Sequence, residues 1–209
     1  MDLDGKVAIV TGAARMRGLG RAIAFKLAED GAKVVVSGRH RSPESLPQHE
    51  QAAGWSGVDS VVAEINQNGG VALSSYADVV NPSEVQQLVE GTVDRLGRLD
   101  IMVNNAGLAL VSGGKRVWEM DDQEWLQEID VNLNGVFYCC RAAAQVLVRQ
   151  GQGGAIINIS SLAGSMIQPF MGGVHSGKAG REWPHTDACS GACALRGYRK
   201  RGLPWIFRH

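Results

Sequence analysis

The chain opens with a strand, a glycine-rich turn, a helix and a second strand, in a span that leaves one way to join them. Lys6 to Thr11 (KVAIVT) is a short β-branched run ending in glycine and reads as a buried strand. Gly18 to Gly31 (GLGRAIAFKLAEDG) sets Leu19, Ile23 and Leu27 at four-residue intervals, which predicts a helix stopped by Gly31. Ala32 to Ser37 (AKVVVS) is a second apolar strand. Strands joined through a helix run parallel, with a right-handed crossover.

The alternation continues. Gly70 to Tyr76 reads as a strand, and Asn81-Pro82-Ser83-Glu84 as a capped helix start leading into Val85, Leu88, Val89, Val93 and Leu96. Asp100 to Asn104 is a fourth strand. A long helix runs through Trp125, Leu126, Ile129, Leu133, Val136, Phe137 and Leu147, and Ala155 to Ser160 is a fifth strand. Apolar strands alternating with helices predict an α/β fold, a doubly wound parallel sheet covered on both faces. At 209 residues there is room for one such domain. His40 to Gly57 breaks the rhythm: it is polar, holds two prolines, and reads as a functional or disordered loop or as a tolerated surface insertion.

Composition narrows the function. Lys plus Arg and Asp plus Glu each number 21, so a zero net charge gives no footprint for nucleic acid or an anionic membrane. No apolar run reaches a membrane span, the N-terminus does not read as a signal peptide, and a cytoplasmic protein is expected. The adjacent Cys139 and Cys140 point to different faces of a helix and read as buried structural residues, with no metal site expected. The 27 glycines are about twice the ordinary share. Several fall in Thr11-Gly12-Ala13-Ala14-Arg15-Met16-Arg17-Gly18-Leu19-Gly20, between the first strand and the first helix. There a backbone can approach a pyrophosphate at a helix N-terminus.

These residues resemble the short-chain dehydrogenase/reductase family, whose T-G-x-x-x-G-x-G motif is lengthened here by two residues between Gly12 and Gly18. The resemblance runs on through Asp78-Val79, Asn104-Asn105-Ala106-Gly107, Val131-Asn132-Leu133-Asn134-Gly135 and Asn158-Ile159-Ser160-Ser161. It implies a Rossmann-type sheet and a nicotinamide cofactor. Gly12, Gly18, Leu19 and Gly20 would line the diphosphate, Asp78 and Val79 the adenine, and Asn105, Ala106 and Gly107 the adenosine half. It further implies that Asn132 holds a proton-relay water, Ser161 bonds the substrate oxygen and Lys178 binds the nicotinamide ribose. Taken singly, Asp78 could cap a helix and Ser161 could be a turn serine. The second strand ends in Ser37-Gly38-Arg39-His40-Arg41 with no acidic residue to hold a ribose 2′-OH. Arg39, assisted by Arg15 or Arg17, suits a 2′-phosphate. NADP(H) is expected, and NAD(H) stays open if these arginines are only solvated.

The family's tyrosine, four residues before the lysine, is missing. Val174 stands there, in Val174-His175-Ser176-Gly177-Lys178. General acid–base groups contribute about 10²- to 10⁴-fold, so a weak or inactive catalyst is expected. His175 projects roughly 100° away on a helix and is a poor substitute.

After Gly180 the composition shifts: residues 181–209 hold two of the five tryptophans, two of the four cysteines and six Lys/Arg. Read one base later, Trp183-Pro184 and Trp205-Ile206 each force a glycine codon. These lie 22 positions apart, the separation between glycines in the family's K-A-G-V-x-G-L-T helix and its N-A-V-x-P-G segment. Permitted codons complete the family helix, a sixth strand and a Pro-Gly turn. The expected organisation is a truncated dinucleotide-binding domain over 1–180 and an aberrant, poorly ordered tail over 181–209. That leaves an unpaired edge beyond the fifth strand and a tendency to aggregate. The rival is a genuine divergent C-terminus, such as a basic interaction segment.

The functional expectation is NADP(H)-dependent interconversion of a small-molecule secondary alcohol and a carbonyl. The alternatives are a non-catalytic nucleotide-binding module or an interaction role for the tail. Homo-oligomers are implied for an intact member and doubtful for this chain. Sequencing the coding DNA across codons 170 to 209 is expected to show an extra base near codon 181; an error-free in-frame reading in independent clones would contradict the shifted frame.

Overall fold

A computed structural model describes residues 2–108, 115–161, 176–178, 196–198 and 206–208. Five strands, β1 (Val7–Val10), β2 (Lys33–Gly38), β3 (Val71–Tyr76), β4 (Ile101–Asn104) and β5 (Ala155–Asn158), form one parallel sheet in the order β3-β2-β1-β4-β5. The chain starts at the centre, steps outward to β2 and β3, then returns past β1 to β4 and β5. The direction of winding reverses between β1 and β4, where crevices open at strand carboxyl ends in such sheets.

The central strand is apolar on both faces because helices cover both. Ile9, Val35 and Met102 pack with Leu88 and Val89 of α4 (Pro82–Leu96) and with Cys139, Ala143 and Val146 of α6 (Gly135–Gln150). Val10, Val34, Val36 and Val103 face Ala24 and Ala28 of α1 (Leu19–Glu29) and Val58, Val61 and Ile65 of α3 (Val58–Gln67). Cys139 and Cys140 are buried and neither is in a disulfide. Asn81 caps α4 as its sequence predicts, accepting from the Ser83 and Glu84 amides.

Two readings need correction and one needs refining. Of the α1 stripe, Ile23 and Leu27 pack half-buried against the core, but Leu19 is 58% exposed, and the fully buried α1 residues are Gly20, Ala24 and Ala28. The small residues win because the helix lies close on the sheet: a Cβ on Gly20 would sit 2.5 Å from Asn105 Nδ2 and 2.9 Å from the Gly12 carbonyl. The 40–57 stretch is not a plain surface loop. It holds a 3₁₀ turn at Pro43–Ser45 and a short helix α2 (Gln48–Ala52), with Leu46, Glu50 and Trp55 buried. The long helix before β5 is not uniform either. It runs as α5 (Asp122–Ile129), a π turn (Asp130–Asn134) and α6.

Among the described residues the sheet ends at β5, where Ala155, Ile156 and Ile157 stay half-exposed. Two further strands, β6 (Arg196–Tyr198) and β7 (Ile206–Arg208), pair antiparallel as a separate sheet. The rest of the 181–209 segment lies outside the described residues.

The amino ends of β1 and β4 are tied by Asp100. Its carboxylate accepts from the Val7 amide at 3.0 Å, from Arg98 at 2.6 and 2.7 Å, and from Lys6 at 3.2 Å. Burial pushes the Asp100 carboxyl up, but Arg98, the Val7 amide and Lys6 outweigh it and hold it below the ordinary range. A depressed folded value contributes stability above the unfolded pKa of about 3.9 and loses it as pH falls further. Asp100→Ala should cost about 1–3 kcal/mol at neutral pH, chiefly by orphaning the buried Val7 amide. Thermal melts should show that deficit shrinking below about pH 4, where the native carboxylate also protonates.

Candidate functional site

The crevice at the carboxyl ends of β1 and β4 is built around Thr11. Its hydroxyl donates to the Val103 carbonyl at 3.3 Å and accepts from the amides of Asn105 at 3.1 Å and Ala106 at 3.2 Å. Asn105 Nδ2 donates back to the carbonyls of Thr11 at 2.9 Å and Gly12 at 3.1 Å. The two strand ends are thus stitched by side chains where the ladder stops. Gly12 turns the chain here with φ +65°, and a Cβ on it would lie 2.6 Å from Ala106 Cα. The main chains meet with no room for a side chain, and L-residues resist that φ.

Helix α1 then starts beside the crevice with Gly18 as N-cap, no side-chain cap and no acidic residue in its first turn. By contrast, α4 and α5 carry Asn81 and Asp121 caps with a first-turn glutamate. The α1 end therefore keeps unpaired N–H groups and its partial positive charge for an anion. A cleft of about 310 Å³ adjoins it, lined by Gly12, Arg15, Arg39, Arg41, Asp78, Val79, Asn105, Ala106 and Gly107 among others. Of the residues expected to bind a cofactor, only Arg17, Gly18, Leu19, Gly20 and Lys178 do not line this cleft; Gly18, Leu19 and Gly20 form the helix start above it, and Arg17 is exposed.

Charge at the cleft is mostly positive. Arg39 lies 3.7 Å from Asp78 Oδ2, and Asp78 Oδ1 accepts from the Val80 amide. Arg15 Nε donates to Glu50 at 2.9 Å. Partial desolvation of the largely exposed Arg41 lowers its pKa, and its neighbours Arg39 and Arg15 lower it further, with Glu50 opposing them. Glu50, Trp55 and Arg41 are the site residues that motif reading missed. No periodic signal marks a carboxylate whose partner lies 35 positions away.

The catalytic candidates converge on the far side. Asn132, fully buried in the π turn, accepts from the Leu108 amide at 3.1 Å and donates to its carbonyl at 2.9 Å. Gly177 packs so close that a Cβ would stand 2.6 Å from Asn132 Cβ. Ser160 Oγ donates to the Lys178 carbonyl at 3.3 Å, which sets Lys178 against the end of β5 beside the exposed Ser161. Asn132, Ser161 and Lys178 are therefore gathered in one region; Val174 lies outside the described residues. Tyr76 is no replacement acid–base group. Its hydroxyl donates to Asp59 Oδ2 at 2.5 Å, which, with burial, raises its pKa to about 12.

The family model for short chain dehydrogenases matches residues 6–182. The chain is 41% identical over 178 residues to a 3-oxoacyl-[acyl-carrier-protein] reductase of Synechocystis, covering 85% of this chain and 64% of that protein. It is 40% identical over 161 residues to a 3beta-hydroxysteroid dehydrogenase of Mediterraneibacter gnavus, covering 77% and 51%. The chain thus spans between half and two thirds of the length of these relatives. Among solved structures, a short chain dehydrogenase from Mycobacterium smegmatis superposes with TM-score 0.78 at 31% identity, covering 91% of this chain and 72% of that one. A metagenomic short-chain oxidoreductase in complex with NADP gives 0.76 at 34%, covering 91% and 77%.

Gly12→Ala should cost at least about 1–2 kcal/mol from the left-handed φ alone, with the contact to Ala106 adding to it. A thermal melt unchanged by this substitution would contradict the close approach of the two strand ends.

Proposed function

We propose, from the premise that this chain belongs to the short chain dehydrogenase family, that its crevice binds NADP(H) for interconversion of a secondary alcohol and a carbonyl. One observation carries the reading: left-handed Gly12 pressed against Ala106, directly beside an uncapped α1 start. A cradle without side chains, next to free amides and a positive helix end, suits a diphosphate. Gly12, Gly18, Leu19 and Gly20 would present main chain to it. Asp78, Val79, Asn105, Ala106 and Gly107 would take the adenosine half. Arg15 and Arg39 line the adjoining cleft and would meet a 2′-phosphate; Arg17, exposed, would assist from outside it.

When bound, the dinucleotide supplies or accepts the hydride. The protein's own part is to orient the substrate oxygen through Ser161, to bind the ribose through Lys178, and to hold a relay water through the π turn at Asn132. A π turn inside a helix is a common mark of a functional position, and packing of Gly177 on Asn132 supports their acting together.

The proton step is where this chain falls short. With valine at position 174, no phenol meets the substrate oxygen, and a general acid–base group is worth about 10²- to 10⁴-fold. Slow turnover at best is the expected outcome for this chain, with cofactor binding retained. Titration of NADPH fluorescence should report saturable binding, tighter than that of NADH. Val174→Tyr, combined with a family-type segment after residue 180, should raise ketone reduction at least about 100-fold. A restored protein that binds NADPH yet stays inert over a broad ketone panel would refute the dehydrogenase reading.

A further inference from the structure

The chain departs from the family's glycine motif and from the strand–helix rhythm in two places, and the fold brings the two departures together. The lengthened loop between Gly12 and Gly18 carries Ala14, Arg15 and Met16. The 40–57 stretch supplies α2, whose Glu50 is wholly buried beneath that loop. Glu50 Oε1 accepts from Arg15 Nε at 2.9 Å and from the Met16 amide at 3.0 Å, and Trp55 Nε1 donates to the Ala14 carbonyl at 2.8 Å. Gln51 Nε2 braces the stretch from within, donating to the carbonyls of Leu46 at 2.6 Å and Glu44 at 3.2 Å.

This carboxylate is half used. Glu50 Oε2 is buried and has no hydrogen-bond partner among the described residues. A buried anion persists only against positive charge, and three guanidiniums, of Arg15, Arg39 and Arg41, line the cleft beside it. Against them stand Glu50 and Asp78. The cluster keeps an excess of positive charge, and Arg41 already feels it.

We propose that the lengthened glycine loop and α2 are one unit in which Glu50 is the resident counter-ion of an Arg15–Arg39–Arg41 cluster, whose ligand is the 2′-phosphate of an adenosine nucleotide. The proposal rests on the NADP(H) reading above and adds Arg41 and Glu50 as specificity-determining residues, Glu50 acting as a positioning residue through Arg15. Glu50 works in two directions. Without ligand it offsets repulsion among the guanidiniums and ties the loop to α2. With ligand its charge opposes the incoming phosphate. Glutamine keeps an oxygen to accept from Arg15 and Met16, removes the charge, and puts an NH₂ where Oε2 has no hydrogen-bond partner among the described residues. A merely structural carboxylate, once neutralised, would weaken both fold and binding; a resident counter-ion weakens the fold and strengthens phosphate binding.

The test uses the full chain with two probes that differ by the 2′-phosphate alone, adenosine 2′,5′-bisphosphate and adenosine 5′-monophosphate. Glu50→Gln should lower the melting temperature without ligand and tighten bisphosphate binding by about 3- to 10-fold, leaving the monophosphate nearly unchanged. Arg41→Gln, at an exposed position, should fold like the unaltered chain, weaken bisphosphate binding about tenfold and spare the monophosphate. Bisphosphate affinity that falls or stays level in Glu50→Gln, or the two probes shifting in parallel, would overturn the counter-ion role. Unchanged bisphosphate affinity in Arg41→Gln would overturn the cluster even if Glu50→Gln failed to fold. An unaltered chain that cannot tell the two probes apart refutes the NADP(H) reading and this proposal with it. One that discriminates while Glu50→Gln behaves like it refutes the counter-ion alone.

Discussion

The Thr11 hydroxyl stands between the ends of β1 and β4, giving its proton to one carbonyl and receiving two amides from the other chain segment. Each such bond contributes about 1 kcal/mol net, yet their joint effect is geometric. They fix where Asn105 and Ala106 pass over Gly12, and so how closely two main chains meet. That approach sets the floor of the crevice, forces the left-handed turn at Gly12, and aims the chain into α1. The site depends on this stitch before it depends on any charged side chain.

The sheet is secured at both ends by different chemistry. At the amino ends Asp100 gathers a main-chain amide and two cations, closing β1 against β4 with charge. At the carboxyl ends neutral groups do the joining, so the positive helix terminus stays uncompensated, while Glu50 and Asp78 offset only part of the charge of Arg15, Arg39 and Arg41. A carboxylate could not donate to Val103 from position 11, or to the Thr11 and Gly12 carbonyls from position 105, and it would also repel what the crevice is built to hold. The π turn at Asp130–Asn134 does similar work on the other side, presenting Asn132 to both Leu108 and the turn that carries Lys178.

Much of this was legible in the residues. The parallel sheet followed from apolar strands alternating with helical spacing, and the Asn81 cap and the glycine turn were read where they occur. Motif order alone brought Asn132, Ser161 and Lys178 into one set, and the fold gathers them. Other features escaped for physical reasons. Spacing predicts the α1 stripe, of which Ile23 and Leu27 pack on the core, but does not reveal an approach close enough to bury Gly20, Ala24 and Ala28 completely. Polarity and two prolines mark 40–57 as a loop; Glu50 is buried there because the glycine loop offers it Arg15 and Met16, and Trp55 because it packs with Val58, Val61 and Ile65 and finds the Ala14 carbonyl. A π turn carries no periodic signature over five residues.

The central claim is that an anionic dinucleotide lies across this stitch, and amide hydrogen exchange of the chain with and without NADP⁺ tests it most directly. Slowed exchange confined to the glycine turn and α1 start, the end of β2, the Ala77–Val79 segment and the Asn105–Leu108 segment is the predicted result. Protection centred elsewhere, or none at saturating nucleotide, would contradict the account.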